Sequence, residues 1–136
     1  MEYQFPEPIT KTLTPIVTGS NLVAIKYKDG VIACTDMLAS YGSMCKFKEF
    51  SKCTQLNQYS AIVTRGDLSD YQEEIKLLLK ESVMDLQFEE NTRSPKEFAK
   101  FLSRYHYHYR MKMDPWLTNS MIIGYKDSPY LGIILI

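Results

Sequence analysis

The spacing of apolar positions changes along this chain, and each change predicts an element. Leu22 to Tyr27 and Val31 to Thr35 are short apolar runs rich in β-branched residues. Lys28-Asp29-Gly30 separates them, and Asp-Gly between two such runs is a hairpin signal. Apart from Lys26, both runs are apolar on both faces. That pattern predicts strands in the middle of a covered sheet. Ser40-Tyr41-Gly42-Ser43 reads as a turn. Cys53–Leu56 and Tyr59–Thr64 predict a second hairpin around Asn57-Gln58, which Gly66-Asp67 ends.

From Leu68 the period becomes helical. Leu68, Tyr71, Ile75, Leu78, Leu79 and Leu86 fall on one face of a helix over 68–88. Asn91 and Thr92 mark a loop. Ser94-Pro95-Lys96-Glu97 is a capping box with proline at the first helical position. The second helix, 95–113, would bury Phe98, Phe101, Leu102, Tyr105, Tyr109 and Met113, and Asp114-Pro115 stops it. Leu117–Tyr125 is a strand, Lys126 to Pro129 a turn, and Tyr130–Ile136 a last strand. Strands in runs and helices in runs predict an α+β fold, with antiparallel sheet and a helix pair on one face. The wholly apolar last strand calls for neighbours that the chain does not supply, so the domain reads as incomplete on its own. Residues 1–19 are polar and rich in Pro and Thr. Pro6, Pro8 and Pro15 favour extended backbone there.

Composition narrows the class. The chain has 136 residues and 45% apolar content, which suits one packed domain. Sixteen basic and sixteen acidic residues cancel, which argues against nucleic-acid binding as the main task. The N-terminal residues lack the apolar run of a signal peptide or anchor. The run Leu131 to Ile136 is far too short to span a bilayer. Cys34, Cys45 and Cys53 are an odd set without Cys-x-x-Cys spacing, and read as reduced thiols of an intracellular protein.

Candidate chemistry is sparse. Ser20, Asp36 and Lys52 supply a hydroxyl, an acid and a base, but on spacing alone they read as a turn serine, a strand-end acid and a surface lysine. His106 and His108 stand two apart on a helix, point in different directions and read as surface residues rather than a metal pair. Cys45 beside Lys46 and Lys48 has the cations that activate a thiol, yet reads as structural. Gly30, Gly42, Gly66 and Gly124 are isolated, so no phosphate-cradling loop is present. The stretch Tyr105 to Met113 mixes aromatics with bases. It reads as packing on its own sheet with one face and meeting a partner protein with the other, with Tyr105, Tyr109, Arg110 and Trp116 as interface candidates.

Several stretches together carry a resemblance. Thr12-Leu13-Thr14-Pro15-Ile16-Val17-Thr18-Gly19 leads into Ser20, a strand, a turn with Gly30, then Val31-Ile32-Ala33 and Asp36. With Ser40 to Ser43, Gly66 to Gln72 and Lys112-Met113-Asp114-Pro115-Trp116, the chain from about Thr12 to Ile136 resembles proteasome β-type subunits, most of all a non-catalytic member. The resemblance implies a four-layer αββα sandwich of the N-terminal nucleophile hydrolase type, here lacking its C-terminal part. It implies a propeptide-like segment over 1–11, a possible processing site before Thr12 and a β-subunit domain over 12–136. Ser20 falls at the nucleophile position, Asp36 at the acid and Lys52 at the lysine, with the family's intervals between them. The family's nucleophile is a threonine, so Ser20 departs from it.

The implied role is a non-catalytic structural subunit of the 20S core β-ring, without cofactor or metal. Its partners would be other β subunits of the same ring, α-ring subunits and β subunits of the opposite ring, with no nucleic acid and no membrane. The implied location is cytoplasm and nucleus. The alternative is an N-terminal Ser/Thr-type endopeptidase freed by cleavage at Gly19–Ser20. A free-standing binding module is a third reading.

Overall fold

The computed structural model of the chain describes residues 20–41, 44–87 and 92–135. β1 (Leu22–Tyr27) and β2 (Gly30–Thr35) form the expected hairpin, paired from Leu22 with Thr35 to Tyr27 with Gly30. They make a two-stranded sheet of their own rather than the middle of a larger one. The inward face lies against the main sheet. The outward face leaves Val23, Ile25 and Ile32 60%, 64% and 58% exposed. The expectation of strands covered on both faces thus holds for one face only among the described residues. Alternation sends every second apolar side chain outward, whatever its hydropathy.

β3 (Ala39–Tyr41) and β4 (Met44–Phe47) are a short pair that the sequence pattern did not reveal. Of the Ser40 to Ser43 turn, Gly42 and Ser43 lie outside the described residues. β5 (Cys53–Asn57) and β6 (Ser60–Gly66) form the second hairpin, with Gln58-Tyr59 at its tip. Gly66 ends it at φ +118, and a Cβ there would stand 2.3 Å from the Leu117 carbonyl oxygen. No side chain fits that approach.

α1 (Leu68–Gln87) and α2 (Pro95–Met111) follow, then β7 (Thr118–Lys126) and β8 (Ser128–Ile134). Asp127 turns the last hairpin at φ 66, a left-handed position that aspartate tolerates. The main sheet runs β5-β6-β7-β8, antiparallel throughout. The described residues therefore form three layers: the β1–β2 hairpin, the main sheet, and the helices. α1 lies over β5 and β6, and α2 over β7 and β8. The α+β class and the helix pair on one face agree with the sequence pattern.

The core between sheet and helices contains Leu56, Ile62, Leu78, Phe98, Leu102, Trp116, Ile122 and Ile134. α2 starts as its capping box requires: Ser94 Oγ accepts from the Glu97 N–H, and Glu97 Oε2 accepts from the Ser94 N–H. Gly124 lets the sheet approach that start closely, since a Cβ there would meet Tyr59 O at 2.0 Å and Pro95 Cγ at 2.6 Å.

α1 is rotated from its predicted face. Leu86 is 69% exposed, whereas Asp70, Glu74, Ser82 and Asp85 are buried with Tyr71 and Leu78. The buried polar groups have partners on the layers beneath and beside them. Asp70 Oδ2 accepts from the Leu117 N–H at 2.8 Å, and Ser82 Oγ donates to Leu56 O at 2.8 Å. Glu74, fully buried, accepts from Ser120 Oγ at 2.7 Å and lies 3.2 Å from His106 Nε2. Ser120 in turn meets Thr64 at 3.1 Å. His106 is therefore an internal residue, not the surface residue expected, while His108 is exposed.

Arg93 fastens the residues ahead of α2 to α1. It pairs with Glu81 at 3.0 Å and with Asp85 at 3.0 Å, and lies over the Phe101 ring. Its carbonyl accepts from Asn57 Nδ2 at 2.9 Å, and the Thr92 carbonyl accepts from Lys126 Nζ.

Candidate active-site frame

Asp36 leaves the end of β2, and hairpin pairing brings it beside the residues just ahead of β1. The Asn21 N–H donates to Asp36 Oδ1 at 3.1 Å, and the Asp36 N–H donates to Asn21 O at 3.4 Å. On the other carboxylate oxygen, Lys52 Nζ donates at 2.8 Å, with the Leu38 N–H at 3.4 Å. Lys52 is held from behind, because its carbonyl accepts from the Thr64 N–H at 3.0 Å as the chain enters β5. Its side chain is 12% exposed and that of Asp36 32%. The two sequence candidates thus form one partly buried ion pair.

Burial by itself would push the Asp36 carboxyl up. The Lys52 ammonium and the two backbone N–H groups outweigh it and hold Asp36 below the usual carboxylate range. The lysine is thereby fixed in place beside the start of β1.

Ser20 is half-buried, two residues before β1 and next to Asn21, whose N–H the acid holds. Among the described residues its hydroxyl makes no hydrogen bond with Asp36 or Lys52. The three candidates are therefore gathered at one end of the hairpin, with acid and lysine joined and the hydroxyl close by in the chain. A cleft of about 430 Å³ lies at the other end, where Tyr27, Val31, Gln55, Tyr59 and Tyr125 line it, remote from this chemistry. The segment 1–19, including Thr12, lies outside the described residues.

The interface candidates separate. Trp116 is 8% exposed, stacked with Tyr109 at 4.7 Å and Tyr105 at 6.5 Å, and met edge-on by His106 at 5.5 Å. These rings are committed to internal packing, with Tyr105 and Tyr109 half-buried. Arg110 is exposed, as are Tyr107 and Met111, which the aromatic reading did not single out. Cys34, Cys45 and Cys53 are free and exposed. Among the described residues no cluster of His, Cys, Asp and Glu is arranged to hold a metal, and no helix is long and apolar enough to cross a membrane.

The sequence reading took Asp67 only as the end of the second hairpin and missed what Asp67 and Asp70 hold. Asp67 Oδ1 accepts from the N–H groups of Ser69 and Asp70 at the start of α1, and its own N–H donates to Leu117 O at 3.0 Å. An acid directly after Gly66 and three residues ahead of Asp70 was the available signal.

A family description for the proteasome subunit matches residues 16–134. The chain is 36% identical to the proteasome subunit beta type-4 of Arabidopsis thaliana over 131 residues, covering 94% of this chain and 53% of the relative. It is 35% identical to the Xenopus laevis proteasome subunit beta type-4 over 131 residues, covering 93% of this chain and 53% of that one. A probable proteasome subunit beta type-7 of Schizosaccharomyces pombe is 35% identical over 118 residues, covering 86% and 45%. The chain spans about half the length of these relatives.

Proposed function

This chain belongs to the proteasome subunit family, and we propose that it is a non-catalytic structural subunit of the 20S core, seated in the β-ring. The observation that carries this reading is the state of the frame around Ser20. Asp36 and Lys52 are joined, but the nitrogen of Ser20 is in peptide linkage to Gly19. While the Gly19–Ser20 bond is intact, the lone pair of that nitrogen is delocalised into the Gly19 carbonyl, so it cannot serve as the base that an N-terminal nucleophile needs. In this reading Thr12 to Gly19 stay joined ahead of Ser20, and the frame does no chemistry. Residues 1–11 are a propeptide-like piece, with processing before Thr12, and 12–136 belong to the β-subunit domain.

In this reading the protein works by assembly. It contacts β subunits of its own ring, α-ring subunits above and β subunits of the opposite ring. It thereby supports ATP- and ubiquitin-dependent protein degradation by the complex in cytoplasm and nucleus. The four-layer sandwich it implies has a second helical layer on the outer face of β1–β2. The exposure of Val23, Ile25 and Ile32 supports that placement, since apolar strand faces favour a cover.

N-terminal sequencing of the subunit purified from its native complex tests the proposal. A start at Met1 or Thr12, with unchanged peptidase activity of the complex when Ser20→Ala is introduced, supports it. A start at Ser20 with loss of one activity in that variant establishes the endopeptidase alternative instead.

A further inference from the structure

Beneath the first two turns of α1, two buried side-chain oxygens find no protein partner among the described residues: Glu74 Oε2 and Thr118 Oγ1. Both residues are fully buried. A buried polar atom costs free energy unless a hydrogen bond serves it, and native interiors leave few such atoms bare.

The register of β7 against α1 places the two in the same neighbourhood. The Leu117 N–H donates to Asp70 Oδ2 at 2.8 Å, and Ser120 Oγ donates to Glu74 Oε1 at 2.7 Å. The step from 117 to 120 along β7 therefore runs beside the step from 70 to 74 along α1, about one helical turn. Thr118 lies within that interval. Strand side chains alternate, so Thr118 shares a face with Ser120, and that face is turned to α1. The two side chains stand about 7 Å apart along the strand, with the Glu74 carboxyl at the Ser120 end of the gap.

The neighbouring hydroxyls cannot serve Glu74 Oε2, because each has one hydrogen to give. That of Ser120 is spent on Glu74 Oε1, and Thr64 Oγ1, 3.1 Å from Ser120 Oγ, then donates to Ser120. His106 Nε2 lies 3.2 Å from the other carboxyl oxygen, Oε1. On β6 the cross-strand partner of Ser120 is Thr64, but that of Thr118 is Gly66, so no side chain stands beside Thr118 to fill the space or to bond its hydroxyl.

We propose that one internal water molecule is bound here, donating to Glu74 Oε2 and accepting from the Thr118 hydroxyl. Internal waters characteristically serve otherwise unpartnered buried groups in this way. Water suits the site better than a cation, since no cluster of His, Cys, Asp and Glu among the described residues is arranged to hold a metal. The molecule completes the second oxygen of Glu74 and extends the polar network of α1, α2, β6 and β7 to the start of β7. It is the link through which a helix face rich in buried acids stays seated on the sheet. The site is separate from the frame at Ser20 and does not depend on whether that frame is active.

A density map of the chain in its native complex, at a resolution that shows ordered water, tests the proposal. The expected result is one ordered molecule within hydrogen-bond distance of both Thr118 Oγ1 and Glu74 Oε2. No density there, a side chain of another residue in its place, or a peak at metal–oxygen distances overturns the proposal. Thr118→Ser keeps the hydroxyl and should keep the molecule, whereas Thr118→Val should lose it; the same density in both variants also overturns the proposal. Thermal melts of the purified full chain give an independent readout. Thr118→Val conserves the shape and removes a hydrogen-bonded hydroxyl, so Tm should fall by about 3–5 °C. Were the hydroxyl bare, valine would suit the buried strand better, so an unchanged or raised Tm counts against the bound water.

Discussion

Replacing His106 with leucine isolates the worth of the buried polar hub. Leucine roughly conserves volume, so the contact with Trp116 is largely kept and cavity formation contributes little. What is lost is the ring nitrogen 3.2 Å from Glu74 Oε1. Glu74 is 0% exposed, its Oε2 already lacks a partner among the described residues, and Ser120 Oγ is left as its one partner shown. Leaving a buried acceptor without its partner typically costs about 1–3 kcal/mol. Set against a total of about 5–15 kcal/mol for a single domain, that is a large fraction. With a urea m-value of about 2 kcal/mol/M, the unfolding midpoint should fall by about 0.5–1.5 M. Glu74→Met alone removes the acceptor and should also destabilise. The double variant, apolar at both positions, removes both needs at once, and Ser120 still has Thr64 at 3.1 Å. Its cost should therefore be at least ~1 kcal/mol less than the sum of the single changes. Urea titrations of the four proteins close the cycle. Additivity within about 0.5 kcal/mol, or a His106→Leu cost below about 1 kcal/mol, would refute the account of the hub.

Two further outcomes follow from the same geometry. Ser94→Ala removes the acceptor for the Glu97 N–H and should cost about 1 kcal/mol, which in thermal melts lowers Tm by about 3–5 °C; an unchanged Tm would show that the box adds nothing. Asp36 titrates below its unfolded value, so it binds its proton less readily when folded. Its contribution to stability is present above the ordinary carboxylate pKa and is lost as pH falls through the lower folded one. Lys52→Met removes the ammonium, so the Asp36 pKa should rise toward its unfolded value and the share of the acid loss of stability that comes from Asp36 should shrink. A carboxyl-carbon NMR titration reads the first and melts between pH 3 and 6 read the second, and an unmoved Asp36 would contradict the ion pair.

The elements written in local chemistry were legible in the sequence. Asp-Gly set the first hairpin, Gly66 the end of the second, and Ser94 to Glu97 the start of α2. The facing of α1 was not, because an apolar stripe through Leu86 competes with a polar one whose partners come from far along the chain. Glu74 is buried on account of His106 and Ser120, and Asp85 on account of Arg93, pairings that no local window contains. The same holds for Trp116, which read as an interface candidate and is enclosed by Tyr105 and Tyr109. At the frame, spacing alone left Asp36 and Lys52 as commonplace residues. The resemblance joined them, and the structure brings them within 2.8 Å. β3 and β4 were missed because short strands at this size carry too few alternations to register.

Arg93 has a consequence for what lengths this chain tolerates between its helices. With Glu81 and Asp85 on one side, and Asn57 and Lys126 holding the carbonyls of Arg93 and Thr92 on the other, the point where the chain re-enters α2 is tied down independently of the route it takes to get there. Extra residues inserted between 87 and 92 would add only the slowly growing entropy of a longer closure. That makes the helix connection a place where a tag or label fits with little loss of fold, and Arg93 the residue on which that tolerance depends.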